Sequence, residues 1–396
     1  MDPEQKGHAG MGRAGTADGK LWRWLALGIA GLLLLGACSK TDAGGSDEAD
    51  GSTVLHVAIT NTGCEPTELE APAGPITFEV TNEGATAGMA EVEVFQNEQM
   101  LSEVENVVPG LTGTFSLRLE PGTYIVSCPG GENPSPGTLT VTGEAGAPNE
   151  QQSEMAKRAV ATYRAYLEDQ AALLVERTTD FVDAVKAGDQ EEARSLFSWA
   201  REPYERIEPV AESFGDLDPR IDAREGDVPD AEWGGFHRIE KALWIDEDLE
   251  GMDEVADALL ADVKELHGLV LEVKLQPAQI ANGAGALLGE VSTSKITGEE
   301  DRYSHTDLWD FQANVQGAQV AFDAVAPIVA EDHPELVDEI QADFISTMEA
   351  LDPFRKGDGF ILYTDLTKTE TRDLAQVINT LAEPISRVPA IVAQGI

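Results

Sequence analysis

Trp233-Gly-Gly-Phe-His-Arg-Ile-Glu-Lys-Ala-Leu-Trp244 combines a turn, a helix start and two kinds of metal-ligating side chain. Gly234 and Gly235 leave room for a tight turn. Ile239, Leu243 and Trp244 supply the apolar stripe that docks a helix beginning there. His237 and Glu240 stand three positions apart, a spacing that puts an imidazole and a carboxylate on one face of that helix. The spacing by itself is common: with 72 acidic residues and 6 histidines in 396, about one such pair arises by chance. Its weight comes from the surrounding sequence.

Working outward, Tyr204-Glu-Arg-Ile-Glu-Pro209, Ala211-Glu-Ser-Phe-Gly-Asp-Leu-Asp218 and Gly235-Phe-His-Arg-Ile-Glu240 follow one another. Lys295-Ile-Thr-Gly-Glu-Glu-Asp-Arg-Tyr-Ser-His-Thr-Asp-Leu-Trp309 comes after them. In this order the segments resemble the imelysin-like helical domain of the EfeO family, extracytoplasmic components of bacterial iron uptake. The resemblance runs from about Ser153 to the C-terminus. It implies a His-x-x-Glu metal motif at His237 and Glu240, with iron as the ion.

The helical pattern covers residues 153–396. Helices are expected over Ser153 to Ala187, Asp189 to Phe214, Gly235 to Trp244 and Met252 to Glu272, then Pro277 to Ser292, Ser304 to Val329, Pro334 to Leu351 and Thr367 to Glu383. Val255, Leu259, Val263, Leu266 and Val270 repeat at three-four spacing, which marks a core-facing stripe. Long helices with short connections argue two bundles packed together. Iron favours oxygen donors with imidazole tolerated, so His237 and Glu240 need carboxylates from facing helices. Glu300 and Asp301, in the acidic run Glu299-Glu-Asp301, are the candidates, with Glu208 as another. Ser304-x-x-Asp307 reads as a capping box, which gives Asp307 a backbone role. Tyr204 and Tyr303 are expected in the core, within reach of second hydrogen bonds to ligands.

Residues 53–142 change to short alternating runs, among them Val54 to Ile59, Ile76 to Val80, Ala90 to Phe95, Thr114 to Leu119, Thr123 to Cys128 and Thr138 to Val141. Pro and Gly punctuate them. That density of period-two alternation predicts a two-sheet sandwich. Pro121-Gly-Thr-Tyr-Ile-Val-Ser-Cys128 resembles the penultimate strand of cupredoxins. The loop after it holds neither His nor Met, so the two imidazoles and thiolate of a blue-copper site are not provided there. The fold class expected for the whole chain is therefore a small all-β cupredoxin-like sandwich followed by an all-α imelysin-like bundle.

Resemblance to the EfeO family further implies metal ligands in the small domain. The matching positions are Cys64 and Cys128, with Glu91 and Glu93 on one strand face and Met89 nearby. Iron or copper would be the ion. The alternative is a Cys64 to Cys128 disulfide stapling two strands, with the two glutamates merely solvated. Thiolates that bind metal when reduced and close when oxidised would accommodate both. His56, His267 and His333 carry no ligand pattern.

Residues 1–38 read as an export segment. Arg13, Lys20 and Arg23 precede an apolar run from Trp24 to Ala37, too short to span a bilayer comfortably. Leu35-Gly-Ala-Cys38 resembles a lipobox, which makes Cys38 a lipid anchor on the extracytoplasmic face of the cell membrane. Residues 39–52 form a Gly/Ser/Asp tether, and residues 143–152 a second linker.

Composition bounds the function. The net charge of -45, from 27 basic against 72 acidic residues, repels nucleic acid and raises the local concentration of cations. A zinc peptidase normally needs His-Glu-x-x-His, and no such string occurs. The expected role is non-enzymatic capture of iron and its transfer to a membrane permease. In the EfeO family the partners are a ferric-type permease and a haem peroxidase. An imelysin-like solute- or polysaccharide-binding lipoprotein is the alternative, and a metallopeptidase a more remote one.

Overall fold

The computed structural model describes residues 47–49, 52–84, 90–97, 99–129 and 135–396. The expected export segment, Cys38, most of the tether and Met89 lie outside them. All described residues fall in one unit, Ala43–Ile396.

Among the described residues, ten strands build the sandwich. They are β1 (Asp47–Ala49), β2 (Ser52–Thr60), β3 (Gly63–Glu65), β4 (Glu68–Pro72) and β5 (Gly74–Asn82), then β6 (Val92–Gln96), β7 (Gln99–Val104), β8 (Thr112–Leu119), β9 (Gly122–Ser127) and β10 (Gly137–Thr142). One sheet has the order β1-β2-β5-β8, with β3 also paired to β2; the other has the order β4-β10-β9-β6-β7. β2 runs parallel to β5, and β4 parallel to β10. Alternate residues Leu55, Val57 and Ile59 of β2 and Ile76, Phe78 and Val80 of β5 point inward, against Val92, Val94, Tyr124 and Val126 of the facing sheet. Strands β1, β3, β4 and β7 were not among the expected runs, and β1 falls within the expected tether, where it pairs with β2; Gln99–Val104 is rich in polar residues, and its register comes from pairing with β6. Cys64 on β3 and Cys128, just after β9, form a disulfide between the sheets.

The helical part contains α1 (Glu150–Lys186), α2 (Gln190–Glu205), α3 (Glu208–Glu212), α4 (Leu217–Asp222), α5 (Gly235–Lys241) and α6 (Met252–Glu272). These are followed by α7 (Pro277–Thr293), α8 (Asp307–Val329), α9 (Pro334–Leu351), α10 (Lys368–Ile385) and α11 (Val388–Gln394). Instead of two bundles, one continuous apolar core runs from Ala159 on α1 to Ile396. Asn149 and Gln152 close a capping box that starts α1.

The helix expected over Asp189 to Phe214 breaks after Glu205. Pro209 has no N–H to give the Glu205 carbonyl, and its ring crowds that carbonyl. Asn314 on α8 supplies the donor instead, its Nδ2 lying 2.8 Å from Glu205 O. The break also approaches α8 closely: a Cβ on Gly317 would sit 2.4 Å from the Arg206 carbonyl oxygen. These two residues fix the point where the chain bends, and so aim Glu205 and Glu208 inward.

The two domains meet through α7 and α11. Asn282 on α7 accepts from Ser116 N at 3.3 Å and donates to Ser116 O at 2.8 Å. It offers β8, the last strand of its sheet, the donor and acceptor that a neighbouring strand would have given. Its Nδ2 also reaches Ser102 Oγ at 2.9 Å, and Gln279 Nε2 donates to Leu101 O on β7.

Candidate metal centre

Gly235 sets the direction in which α5 leaves its turn. It has φ +70°, and a Cβ there would lie 2.2 Å from the Ile221 carbonyl oxygen. Only glycine meets both conditions. The turn against α4 brings Asp222 to His237, and α5 then widens into a π-helical turn over Ala242–Asp246.

His237 is 1% exposed and Glu240 is fully buried. Their i,i+3 spacing makes them partners, with His237 Nδ1 lying 2.9 Å from Glu240 Oε2. The other carboxylate oxygen of Glu240 accepts from Tyr303 N, Ser304 N and Ser304 Oγ at 3.0, 2.8 and 2.8 Å. Glu240 therefore holds the ring, and the opposite nitrogen, Nε2, has no hydrogen-bond partner. Nε2 lies 3.7 Å from both Asp222 Oδ1 and Glu300 Oε1. One ligand atom from each of Asp222, His237 and Glu300 falls within a sphere that suits a cation, and so does one from each of His237, Glu240 and Asp301. The second arrangement would break the His237–Glu240 hydrogen bond.

Arg201, 0% exposed, is the hub of the surrounding acids. Its guanidinium bonds Asp222, Glu205 and Glu300, while Nε stands 3.5 Å from Asp301 and 3.7 Å from Asp310. Phe197 and Phe236 lie 5.8 and 5.7 Å from it. Lys295 forms a second hub, reaching Glu205, Glu208 and Glu290 at 2.7, 2.6 and 3.1 Å.

These charges govern protonation. Burial and Arg201 push the His237 imidazole down, but Asp222 and the bond to Glu240 outweigh them and hold it well above the usual histidine range. Burial pushes Glu300 up, yet Lys295, His237, Arg224 and Arg201 hold it well below its ordinary value. Asp222 and Glu240 are likewise lowered against burial, the first by Arg201 and His237, the second by His237 and Ser304. Burial wins at Asp301, pushed up to about 8, and at Asp310, raised further by the neighbouring Asp301. The ion-free centre is thus a balanced set of buried charges.

Of the residues expected from sequence, His237, Glu240, Glu300 and Asp301 come together here, and Glu208 joins through Lys295. The capping-box reading of Ser304 and Asp307 does not hold. Helix α8 starts at Asp307 itself, with Thr306 before it; Ser304 bonds Glu240, and Asp307 Oδ1 accepts from Asp301 N at 3.3 Å. Glu240 draws Ser304 out of the helix start. Tyr204 donates to Asp218, and Tyr303 to Glu225 at 2.5 Å. Asp222 and Arg201 were not anticipated. Arg201 and Glu205 stand four apart on α2, which is a sequence signal for an ion pair.

In the sandwich the cysteine sulfurs are bonded to each other, so in this oxidised form neither is a thiolate that can ligate. Glu93 pairs across strands with Glu103 and Ser127. Glu91 instead joins Glu103 and Glu105 in a carboxylate group near the helices. Burial and Glu93 raise Glu91 to about 7, while burial with Glu290 and Glu91 raises Glu105 to about 8.

Comparison with known proteins agrees with the architecture. The imelysin family profile matches residues 159–388 and a cupredoxin-like domain profile residues 27–141. The iron uptake system component EfeO of Escherichia coli O157:H7 is 40% identical over 343 residues, covering 85% of this chain and 91% of the relative. The same figures hold for EfeO of Escherichia coli K12 and of Shigella flexneri.

Proposed function

The chain belongs to the EfeO family of iron uptake system components, and from that premise we propose that it captures iron outside the cytoplasm and passes it to a membrane permease. The observation that carries this reading is His237 Nε2, buried, without a hydrogen-bond partner, held by Glu240 and 3.7 Å from two carboxylates. One imidazole and two carboxylates are a donor set that suits iron. Glu240 acts as the carboxylate that orients the ligand imidazole, and Asp222, His237 and Glu300 are the ligands.

Binding is an exchange of positive charge. The incoming ion takes the place of the His237 proton and competes with Arg201 for Asp222 and Glu300. Such a site holds its shape without the ion and can release it again, as a carrier requires. Both oxygens of Glu240 are engaged in holding His237 and the Tyr303–Ser304 backbone, a positioning role.

The wider reading has Cys38 as lipid anchor, a ferric-type permease and a haem peroxidase as partners, and a second ion, iron or copper, on the sandwich at Glu91, Glu93 and, when reduced, Cys64 and Cys128. Among the described residues no helix is long and apolar enough to cross a membrane. Iron titration of wild type, His237→Ala and Asp222→Asn/Glu300→Gln, with proton release recorded alongside, tests the centre. Tight binding with proton release, lost in both variants, is expected. A His237→Ala chain that binds iron as tightly as wild type would sink the reading.

A further inference from the structure

Arg201 stands among five carboxylates of the inner group, and it does not treat them alike. Its two terminal nitrogens bond Asp222, Glu205 and Glu300. Its Nε has no hydrogen-bond partner, and stands 3.5 Å from Asp301 Oδ1 and 3.7 Å from Asp310 Oδ1. In turn, Asp301 Oδ1 and both oxygens of Asp310 receive no hydrogen bond. Arg201, Asp301 and Asp310 are all 0% exposed. An orphan donor thus lies just beyond bonding reach of orphan acceptors, in a setting where buried polar atoms are almost always paired. The arrangement is a contact left unmade.

Iron binding disturbs the other half of this set. An ion on Asp222 and Glu300 draws their oxygens away from Arg201, and of its four hydrogen bonds only the one to Glu205 goes to neither of them. The ion also repels the guanidinium. A charge with no route to water has to be paired again inside the protein. Among the described residues, the carboxylates still within 4 Å of the Arg201 nitrogens are then Glu205, Asp301 and Asp310. Glu205 is already shared with Lys295 and Asn314. Asp310, on α8, has both oxygens to offer. A carboxyl oxygen accepts from a guanidinium whether or not the other oxygen carries a proton, so the contact does not depend on the titration of Asp310.

We propose that Arg201 is a two-position counter-cation: it neutralises Asp222 and Glu300 in the ion-free chain, and turns to Asp310, with Asp301 beside it, when iron takes those two carboxylates. The inference rests on the reading of Asp222, His237 and Glu300 as the ligands. Asp310 is a positioning residue, because it acts through Arg201 and not on the ion. The return movement offers Asp222 and Glu300 a replacement cation. The centre can therefore give up its iron without leaving buried carboxylates bare, and release to the next carrier is faster for it.

The test uses the full chain and ferrous iron under anaerobic conditions. In a crystal structure of the iron-loaded chain, Arg201 is expected to have left Asp222 and Glu300 and to bond Asp310. Dissociation is followed by transfer of the iron to an excess of a bipyridine chelator, whose ferrous complex is coloured. Asp310→Leu, similar in shape but without an acceptor, is expected to release iron about tenfold faster with its association rate unchanged. Asp310→Asn keeps one acceptor oxygen in place and is expected to stay within about threefold of wild type. A residue that only supported the fold would lower the urea midpoint of the ion-free chain. That midpoint is expected to hold in both variants, since Asp310 accepts no hydrogen bond there. Should Asp310→Leu fail to fold, the iron-loaded structure of the wild type decides by itself. Arg201 still bonded to Asp222 and Glu300 in that structure, or wild-type release from Asp310→Leu, would overturn the switch while leaving the iron centre intact. A His237→Ala chain that binds iron as tightly as wild type would remove the centre, and the switch with it.

Discussion

Two groups of buried acids lie near each other in this protein, and they settle the same electrostatic problem in opposite ways. Around His237 the carboxylates meet Arg201, Lys295 and the imidazole itself, and Asp222, Glu240 and Glu300 are held ionised below their ordinary values. At the domain junction, Glu91, Glu103, Glu105 and Glu212 face one another, and burial and mutual repulsion raise all four. One group is balanced by built-in cations and the other by protons. Burial is common to both and wins even within the first group at Asp301 and Asp310; what sets Asp222 and Glu300 apart is that several positive charges converge on them. Asp222, Glu240 and Glu300 are consequently preorganised, whereas Glu91 and Glu105 change charge within the neutral range.

The largest effect should come from removing the inner cation. Arg201→Leu leaves Glu205, Asp222 and Glu300 buried without their partner and is expected to cost about 3–5 kcal/mol in urea unfolding. A loss under 1 kcal/mol would mean that the inner group, too, relies on protons. Next comes Gly235→Ala, where the positive φ and the contact with Ile221 predict about 2–4 kcal/mol. Iron affinity should fall with it, because Asp222 and His237 meet at that turn. The junction is less demanding. Asn282→Ala strips the Ser116 backbone of both its bonds to α7 and is expected to cost about 1–3 kcal/mol, with faster proteolysis between the domains as a second readout.

The smallest and most discriminating effect concerns pH. The Glu105 carboxyl is raised from 4.5 to about 8 in the folded chain. A group that holds its proton more tightly when folded contributes its full stability below the unfolded value, and that contribution is lost as pH rises through the folded value. The ion-free chain should therefore lose stability between about pH 4.5 and 8, and Glu105→Gln should shrink that loss by on the order of 1 kcal/mol, the scale of one pKa unit. Asp222, Glu240 and Glu300 of the inner group carry the opposite sign and destabilise the chain only as acid protonates them. An unchanged slope in Glu105→Gln, measured by urea midpoints at pH 5 and 8, would place the titrating group elsewhere.

Much of this was legible in the chain itself, for reasons that differ by residue. Alternation exposed the strands that bury one face, such as Val54 to Ile59. It missed Gln99–Val104, whose position comes from its partner strand. The helix Met252–Glu272 keeps its stripe and its expected ends. Asp189 to Phe214 reads as one helix because the bend at Pro209 is completed by Asn314, more than a hundred residues away. His237, Glu240, Glu300 and Asp301 were visible because dense family resemblance surrounds them. Asp222 sits in a six-residue helix too short to show a period. Arg201 was missed for a different reason: its spacing to Glu205 reads as a solvated helix pair, and nothing local says that four further acids from distant segments will close over it.

Asn282 bears on how the two domains depend on each other. It stands where another strand would pair with β8. A sandwich produced without its helices would present that edge unpaired, the kind of surface on which separate chains stack into sheets. During synthesis the sandwich leaves the ribosome first and waits for α7 to arrive with its amide. The helical domain therefore also shields its neighbour from self-association, and its fusion to the sandwich in one polypeptide sets the local concentration at which that protection is delivered.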